Sequence, residues 1–168
     1  MYKYILLILI FLLSCNYKII RVPTEEKKFL YEMILNEEFP KTIKGRDIML
    51  NNTFLTKKEV KASICKYTTF KCSSLQFEEE GIFIEELKIE RPYLLFNDKE
   101  VNYDFRQFPK SFRLTSFSNI IYTKNQNQVL IYIQNYVNGW DAFGKLYLME
   151  RKTNKKWEIM QIYDVWIS

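Results

Sequence analysis

The chain has 168 residues, a formal net charge of +5 and no histidine. The missing histidine removes the commonest general base and the commonest metal ligand, and it excludes Ser-His-Asp and Cys-His nucleophile systems. The lysines are scattered and often stand beside glutamates, as in Glu25-Glu26-Lys27-Lys28 and Lys57-Lys58-Glu59. That reads as a solvated surface and not as the basic stripe of a nucleic-acid binder, so no nucleic-acid partner is expected.

Tyr4 to Leu13 is continuously apolar, and as a helix it reaches about half of a ~30 Å hydrocarbon core. Lys3, the run Ile5 to Leu13 and the small Ser14 have the layout of a secretory signal. An uncleaved anchor helix is the alternative, for which Lys18 and Arg21 would suit a cytoplasmic flank. Leu12-Leu13-Ser14-Cys15 resembles the lipobox of bacterial lipoproteins. The resemblance implies that residues 1–14 are a signal peptide that is removed, and that Cys15 then carries acyl chains such as palmitate. It places the protein at the bacterial cell envelope, on the outer membrane if the cell is Gram-negative, facing the periplasm or the surface. Two or more acyl chains anchor stably, at about 0.8 kcal/mol per buried methylene.

Residues 15–23 read as a short lipidated tether and 24–168 as a single α+β domain, since no repeat or low-complexity tract divides them. A first amphipathic helix is predicted from Thr24 to near Pro40, with Phe29, Leu30, Met33 and Ile34 at helical spacing. Lys41 to Leu55 looks irregular or briefly extended. A second helix opens on the capping box Thr56-Lys57-Lys58-Glu59 and turns Val60, Ile64 and Tyr67 inward. Cys65 and Cys72 follow. In an unbroken helix they would stand about 10 Å apart, beyond the ~7 Å Cα limit of a disulfide, so a bridge needs the helix to end between them. Thr68, Thr69 and Phe70 favour such an ending. Two half-buried free thiols are the alternative.

From Leu75 the period changes. Gly81 to Glu90 is strand-like, Pro92 to Phe96 leads to an Asn97-Asp98-Lys99 turn, and Phe105 to Ser111 reads as loop. Leu114 to Tyr122, Val129 to Val137, Leu146 to Arg151 and Trp157 to Ile167 are then four strands separated by polar turns. The fold expected is α+β: N-terminal helices packed on one face of a curved antiparallel sheet that ends in a C-terminal meander.

Residues 114–168 resemble the closing meander of small bacterial lipoproteins of uncharacterised function. The likeness rests on the apolar strand Val129-Leu-Ile-Tyr-Ile, a Gly-containing loop, Leu146-Tyr-Leu-Met-Glu-Arg-Lys, and a last strand that ends in Trp166-Ile167-Ser168. It implies a fold and a compartment but no activity. The middle loop, Asn138-Gly139-Trp140-Asp141-Ala142-Phe143-Gly144, lacks the cysteines and extra glycines that such loops often carry.

No catalytic, metal or cofactor constellation is read from the sequence. Glu78-Glu79-Glu80 and Glu85-Glu86 point alternately to opposite sides of an extended chain and read as solvated charge. Aromatic residues, 17% of the chain, are the enriched chemistry. Tyr132, Tyr136, Trp140 and Tyr147 are the candidate binding surface, because tyrosine and tryptophan give rigid contact area with a polar tip. The alternative is a layer of tyrosines packed under the helices. The expectation is a non-catalytic lipoprotein that meets a protein or small-molecule partner, inhibitor or immunity-type proteins being one version. A ligand-enclosing curved sheet or a hydrolase with two carboxylates about 5 to 9.5 Å apart is the competing one.

Overall fold

The computed structural model of the chain describes residues 21–40, 47–79, 81–82, 84–88, 93–96, 112–125, 127–137 and 141–167. Cys15, most of the tether, the Asn97 turn, the Phe105 to Ser111 loop and Trp140 lie outside the described residues.

Helix α1 spans Thr24–Glu38. Pro23 stands at its N-cap, and Glu25 and Glu26 complement the positive end of the helix dipole in the first turn. Its buried stripe is Leu30, Tyr31, Ile34 and Leu35, so the helix is rotated from the expected stripe and Phe29 is 48% exposed. Tyr31 accounts for the rotation. Its ring meets Phe54 and Phe117 edge-on, and its hydroxyl donates to the Ser118 carbonyl at 3.0 Å.

Helix α2 spans Lys57–Tyr67. The capping box forms: the Glu59 amide donates to Thr56 Oγ1 at 3.3 Å, and the Thr56 amide donates to Glu59 Oε2 at 2.8 Å. Val60 and Ile64 are buried, whereas Tyr67 turns outward and is 45% exposed. The helix stops at Thr68, and a 3-10 turn at Cys72–Ser74 brings the Cα of Cys72 to 5.8 Å from that of Cys65, where the two form a disulfide.

The strands are β1 (Asp47–Asn51), β2 (Gln76–Phe77), β3 (Tyr93–Phe96), β4 (Phe112–Phe117), β5 (Ile121–Tyr122), β6 (Gln128–Val137), β7 (Asp141–Arg151) and β8 (Trp157–Ile167). They form one sheet. β6, β7 and β8 run as an antiparallel meander, and the other edge of β6 is shared by β4 and β5. The expected strand Leu114 to Tyr122 is thus broken at Ser118 to Ile120, where the Ser118 hydroxyl accepts from the Tyr132 amide at 2.9 Å. β2 adds to β5, while β1 and then β3 add to β4.

Three expectations are corrected here. β1 is parallel to both β3 and β4, so the sheet is mixed and not antiparallel throughout. A parallel pair needs a long crossover, and the chain between β1 and β3 supplies one that contains α2. The two helices also lie on opposite faces of the sheet. α1 covers Val129, Ile131, Ile133, Tyr147 and Met149, while α2 covers Leu130, Tyr132, Leu146 and Val165. The run Val129-Leu-Ile-Tyr-Ile is apolar on both faces because both are covered. Finally, Ile84–Glu86 is a 3-10 turn and not strand, with Ile82, Ile84 and Leu87 packed into the α1 core.

β8 carries two irregularities. Gln161 pairs with Leu148 but Ile159 with Met149, and Trp166 pairs with Gly144 but Asp164 with Lys145. Met160 and Val165 are therefore extra residues, and each bulge shifts which side chains share a face.

Candidate functional site

The three described residues of the predicted aromatic surface do not share one face. Tyr132 and Tyr136 alternate on β6 and share the α2 face, whereas Tyr147 pairs with Ile131 and is buried under α1. Trp140 lies outside the described residues. What the structure assembles instead is a cluster on the α2 face of β6, from its middle toward Val137. Tyr132 is buried, and its hydroxyl accepts from Trp166 Nε1 at 2.7 Å and also meets Ser63. Tyr136 is 37% exposed and its hydroxyl accepts from Gln134 Nε2 at 2.6 Å. Tyr67, exposed at the end of α2, lies on the same face, with Lys66 Nζ 4.8 Å from its own ring.

Burial raises Tyr132 and Tyr136, and the Glu59 carboxylate adds to the rise at Tyr136. Both hydroxyls stay protonated and keep donor and acceptor capacity. Tyr67, expected on the inward stripe of the second helix, and Trp166, at the end of the last strand, are the two members that the predicted surface lacks. Their place at the end of a helix and of a strand, where a stripe leaves its cover, was the signal in the sequence.

Tyr147 belongs to a different arrangement. Its hydroxyl donates to the buried Glu38 carboxylate, as do Arg113 and Lys145, the last at 2.7 Å. Arg113 lies between the rings of Phe39 and Phe143 and donates to Asn135 Oδ1 at 2.9 Å, which also accepts from Thr115 at 2.7 Å. Burial alone would raise Glu38. Arg113, helped by the hydrogen bonds from Lys145 and Tyr147, outweighs it and holds the carboxyl below its usual range. With both cations committed to it, this carboxylate works as a clamp between α1 and the sheet.

A second buried carboxylate, Glu78, corrects the reading of its run as solvated charge. Tyr122 donates to it and Lys27 Nζ stands 3.5 Å away, while the Val22 amide donates to the Tyr122 hydroxyl at 3.1 Å. Burial, then the bond to Glu78, pushes Tyr122 up to about 12. Glu79, its neighbour, is exposed. Glu38 ends α1 and Glu78 meets its first turns, so the two carboxylates stand roughly 16 Å apart along the helix and do not converge.

A shallow groove of about 580 Å³ opens between the start of α1 and the β7–β8 turn, lined by Phe29, Trp157, Lys155, Lys156, Glu25 and the Glu26–Arg151 pair. Among the described residues no helix is long and apolar enough to cross a membrane, and no group of three or more metal-ligating side chains gathers. Compared with family models, with curated proteins and with solved structures, the chain has no match.

Proposed function

We propose that this chain is an exported bacterial lipoprotein of the small kind its meander resembles, held at the cell envelope by lipid on Cys15 and acting by binding, without catalysis. The observation that carries the reading is Cys15 placed directly after Leu12-Leu13-Ser14 at the end of a short apolar run. The disulfide between Cys65, exposed near the end of α2, and Cys72 in the 3-10 turn that follows supports it, because such bonds persist in oxidising compartments.

The binding surface in this reading is Tyr67, Tyr136 and the edge of Trp166. A curved meander, bent by the β8 bulges at Met160 and Val165, presents it. A protein partner suits it, as for inhibitor or immunity-type proteins, because the aromatics form an open surface with polar tips.

Metabolic labelling with a clickable fatty acid tests the anchor: label enters the wild type and not Cys15→Ser. Label that persists unchanged in the variant would sink the lipoprotein reading. Cross-linked capture from envelope extracts tests the surface, with Tyr67→Ala/Tyr136→Ala expected to lose the partner while its melting temperature holds.

A further inference from the structure

Helix α2 buries Val60 and Ile64 against the sheet and turns most of its remaining surface to solvent. Lys57, Lys58, Lys61 and Lys66 are exposed on it, and the face they cover runs about 14 Å along the axis, at ~1.5 Å per residue. Glu59 is the one carboxylate of the helix. It turns back to the capping position, where it accepts from the Thr56 amide at 2.8 Å and from the Thr56 hydroxyl at 2.6 Å. It stands three or four residues from none of the lysines, so no intrahelical pair offsets them, and Lys57 and Lys61, four apart, are a like-charge pair that disfavours the helix.

Elsewhere the cations find carboxylates. Lys27, Lys28, Arg113, Lys145, Arg151 and Lys152 each meet one, and Lys155 and Lys156 share a groove with Glu25 and Glu26. Among the described residues none of the four α2 lysines has an ion pair. Two lie over rings instead, Lys57 Nζ at 5.6 Å from the centre of Phe77 and Lys66 Nζ at 4.8 Å from that of Tyr67. Of the two acids on β8, Asp164 pairs with Lys145 on the α1 face, and Glu158 lies about 15 Å from Tyr163 along the strand. The outer face of α2 is thus a patch of uncompensated positive charge, and at Lys66 it runs into the aromatic surface.

We infer that the partner of this surface is an acidic protein, whose carboxylates meet Lys57, Lys58, Lys61 and Lys66 while its apolar side chains meet Tyr67 and Tyr136. The inference deepens the binding reading proposed above and rests on it. Charge complementarity selects the sign of the partner. An anionic bilayer suits the face less well, because a helix that lies in a membrane needs its apolar stripe for the lipid, and α2 has buried Val60 and Ile64 against the sheet.

The probe is an oligoglutamate peptide added to the protein isolated from membranes in neutral detergent, and the reading is the rate at which each lysine reacts with an amine reagent. Lys57, Lys58, Lys61 and Lys66 are expected to react several-fold more slowly with the peptide present, while Lys155 and Lys156 are unchanged. Raised salt should abolish the protection. Lys58→Glu/Lys61→Glu should bind the peptide about tenfold more weakly, read as recovery of Lys57 and Lys66 labelling. Its melting temperature should hold, since both positions are exposed and a carboxylate at 58 suits the positive end of the helix dipole.

No slowing on α2, or slowing at Lys155 and Lys156 as large as on α2, would overturn the inference. So would stronger protection of the α2 lysines by phosphatidylglycerol vesicles or by oligothymidylate than by the peptide. In cross-linked capture from envelope extracts, the partner should be lost by Lys58→Glu/Lys61→Glu as well as by Tyr67→Ala/Tyr136→Ala. A partner lost only by the tyrosine variant would overturn the acidic partner and leave the aromatic surface standing, whereas one kept by the tyrosine variant would overturn the aromatic surface itself.

Discussion

Trp166 donates its indole N–H to the Tyr132 hydroxyl across the face of Gly144, at 2.7 Å. A Cβ on residue 144 would stand 2.5 Å from both the indole nitrogen and the hydroxyl oxygen. The bond therefore depends on the glycine. It ties the last strand to the middle of β6 and fixes the floor of the aromatic cluster.

Gly144→Ala should lower stability by about 1 to 3 kcal/mol, the range for overpacking a well-filled site. Trp166→Phe in the same chain should recover part of the loss by vacating the space. Thermal melts of the three chains decide it, and an unchanged melting temperature in Gly144→Ala would mean that the indole sits elsewhere.

Glu38 gives the fold an acid limit and the buried tyrosines an alkaline one. Glu38 is held below its ordinary value of 4.5, so its contribution is present above that value and is lost as pH falls through the lower, folded value. Tyr122 is raised from 10.0 to about 12, so its contribution is full below pH 10 and is lost as pH rises toward 12. Glu38→Gln, which strands Arg113 and Lys145 beside a neutral amide, should cost about 3 to 5 kcal/mol and flatten the acid limb. Denaturant unfolding across pH measures both limbs, and an acid limb that survives in Glu38→Gln would assign it to other carboxylates.

The bridge between Cys65 and Cys72 closes a short loop at the end of α2, which the chain-entropy argument values at about 2 to 3 kcal/mol. Cys65→Ser/Cys72→Ser should lose that amount and stay folded, because Val60 and Ile64 still dock the helix. A non-reduced digest of the exported protein should give the two peptides linked. Alkylation of both thiols without prior reduction would speak against the bond.

Removal of Tyr163 to Ser168 should prevent folding. Val165 belongs to the α2 core with Tyr163 and Trp166 packed against it, and β8 pairs with β7 as far as Ile167. Losing one large buried side chain costs about 3 to 5 kcal/mol, against a total stability of about 5 to 15. A truncated chain that melts like the full one would place the end of β8 outside the core.

Local signals in the sequence were legible and long-range ones were not. The Thr56–Glu59 capping box depends on residues three apart, and the strands at Val129 and Trp157 on alternation within ten or so, and each forms close to where it was read. The side of the sheet a helix takes depends on crossovers that no local pattern encodes, and α1 and α2 take opposite faces where local periodicity predicts one. Simple alternation along Trp157 to Ile167 does not give its faces either: the bulges at Met160 and Val165 place Ile159 toward α1 but Tyr163 and Val165 toward α2. Glu78 looked like its exposed neighbour because its partners, Tyr122 and Lys27, are distant in the chain. The candidate surface was half legible, since Tyr136 lay on the strand that was read while Tyr67 and Trp166 join it only through the register.

Intact-mass and N-terminal analysis of the protein isolated from membranes tests the central claim most directly. The account predicts a chain that begins at Cys15, heavier than its sequence by the mass of the attached acyl chains. A chain that retains residues 1–14, with a free thiol on Cys15, would contradict it.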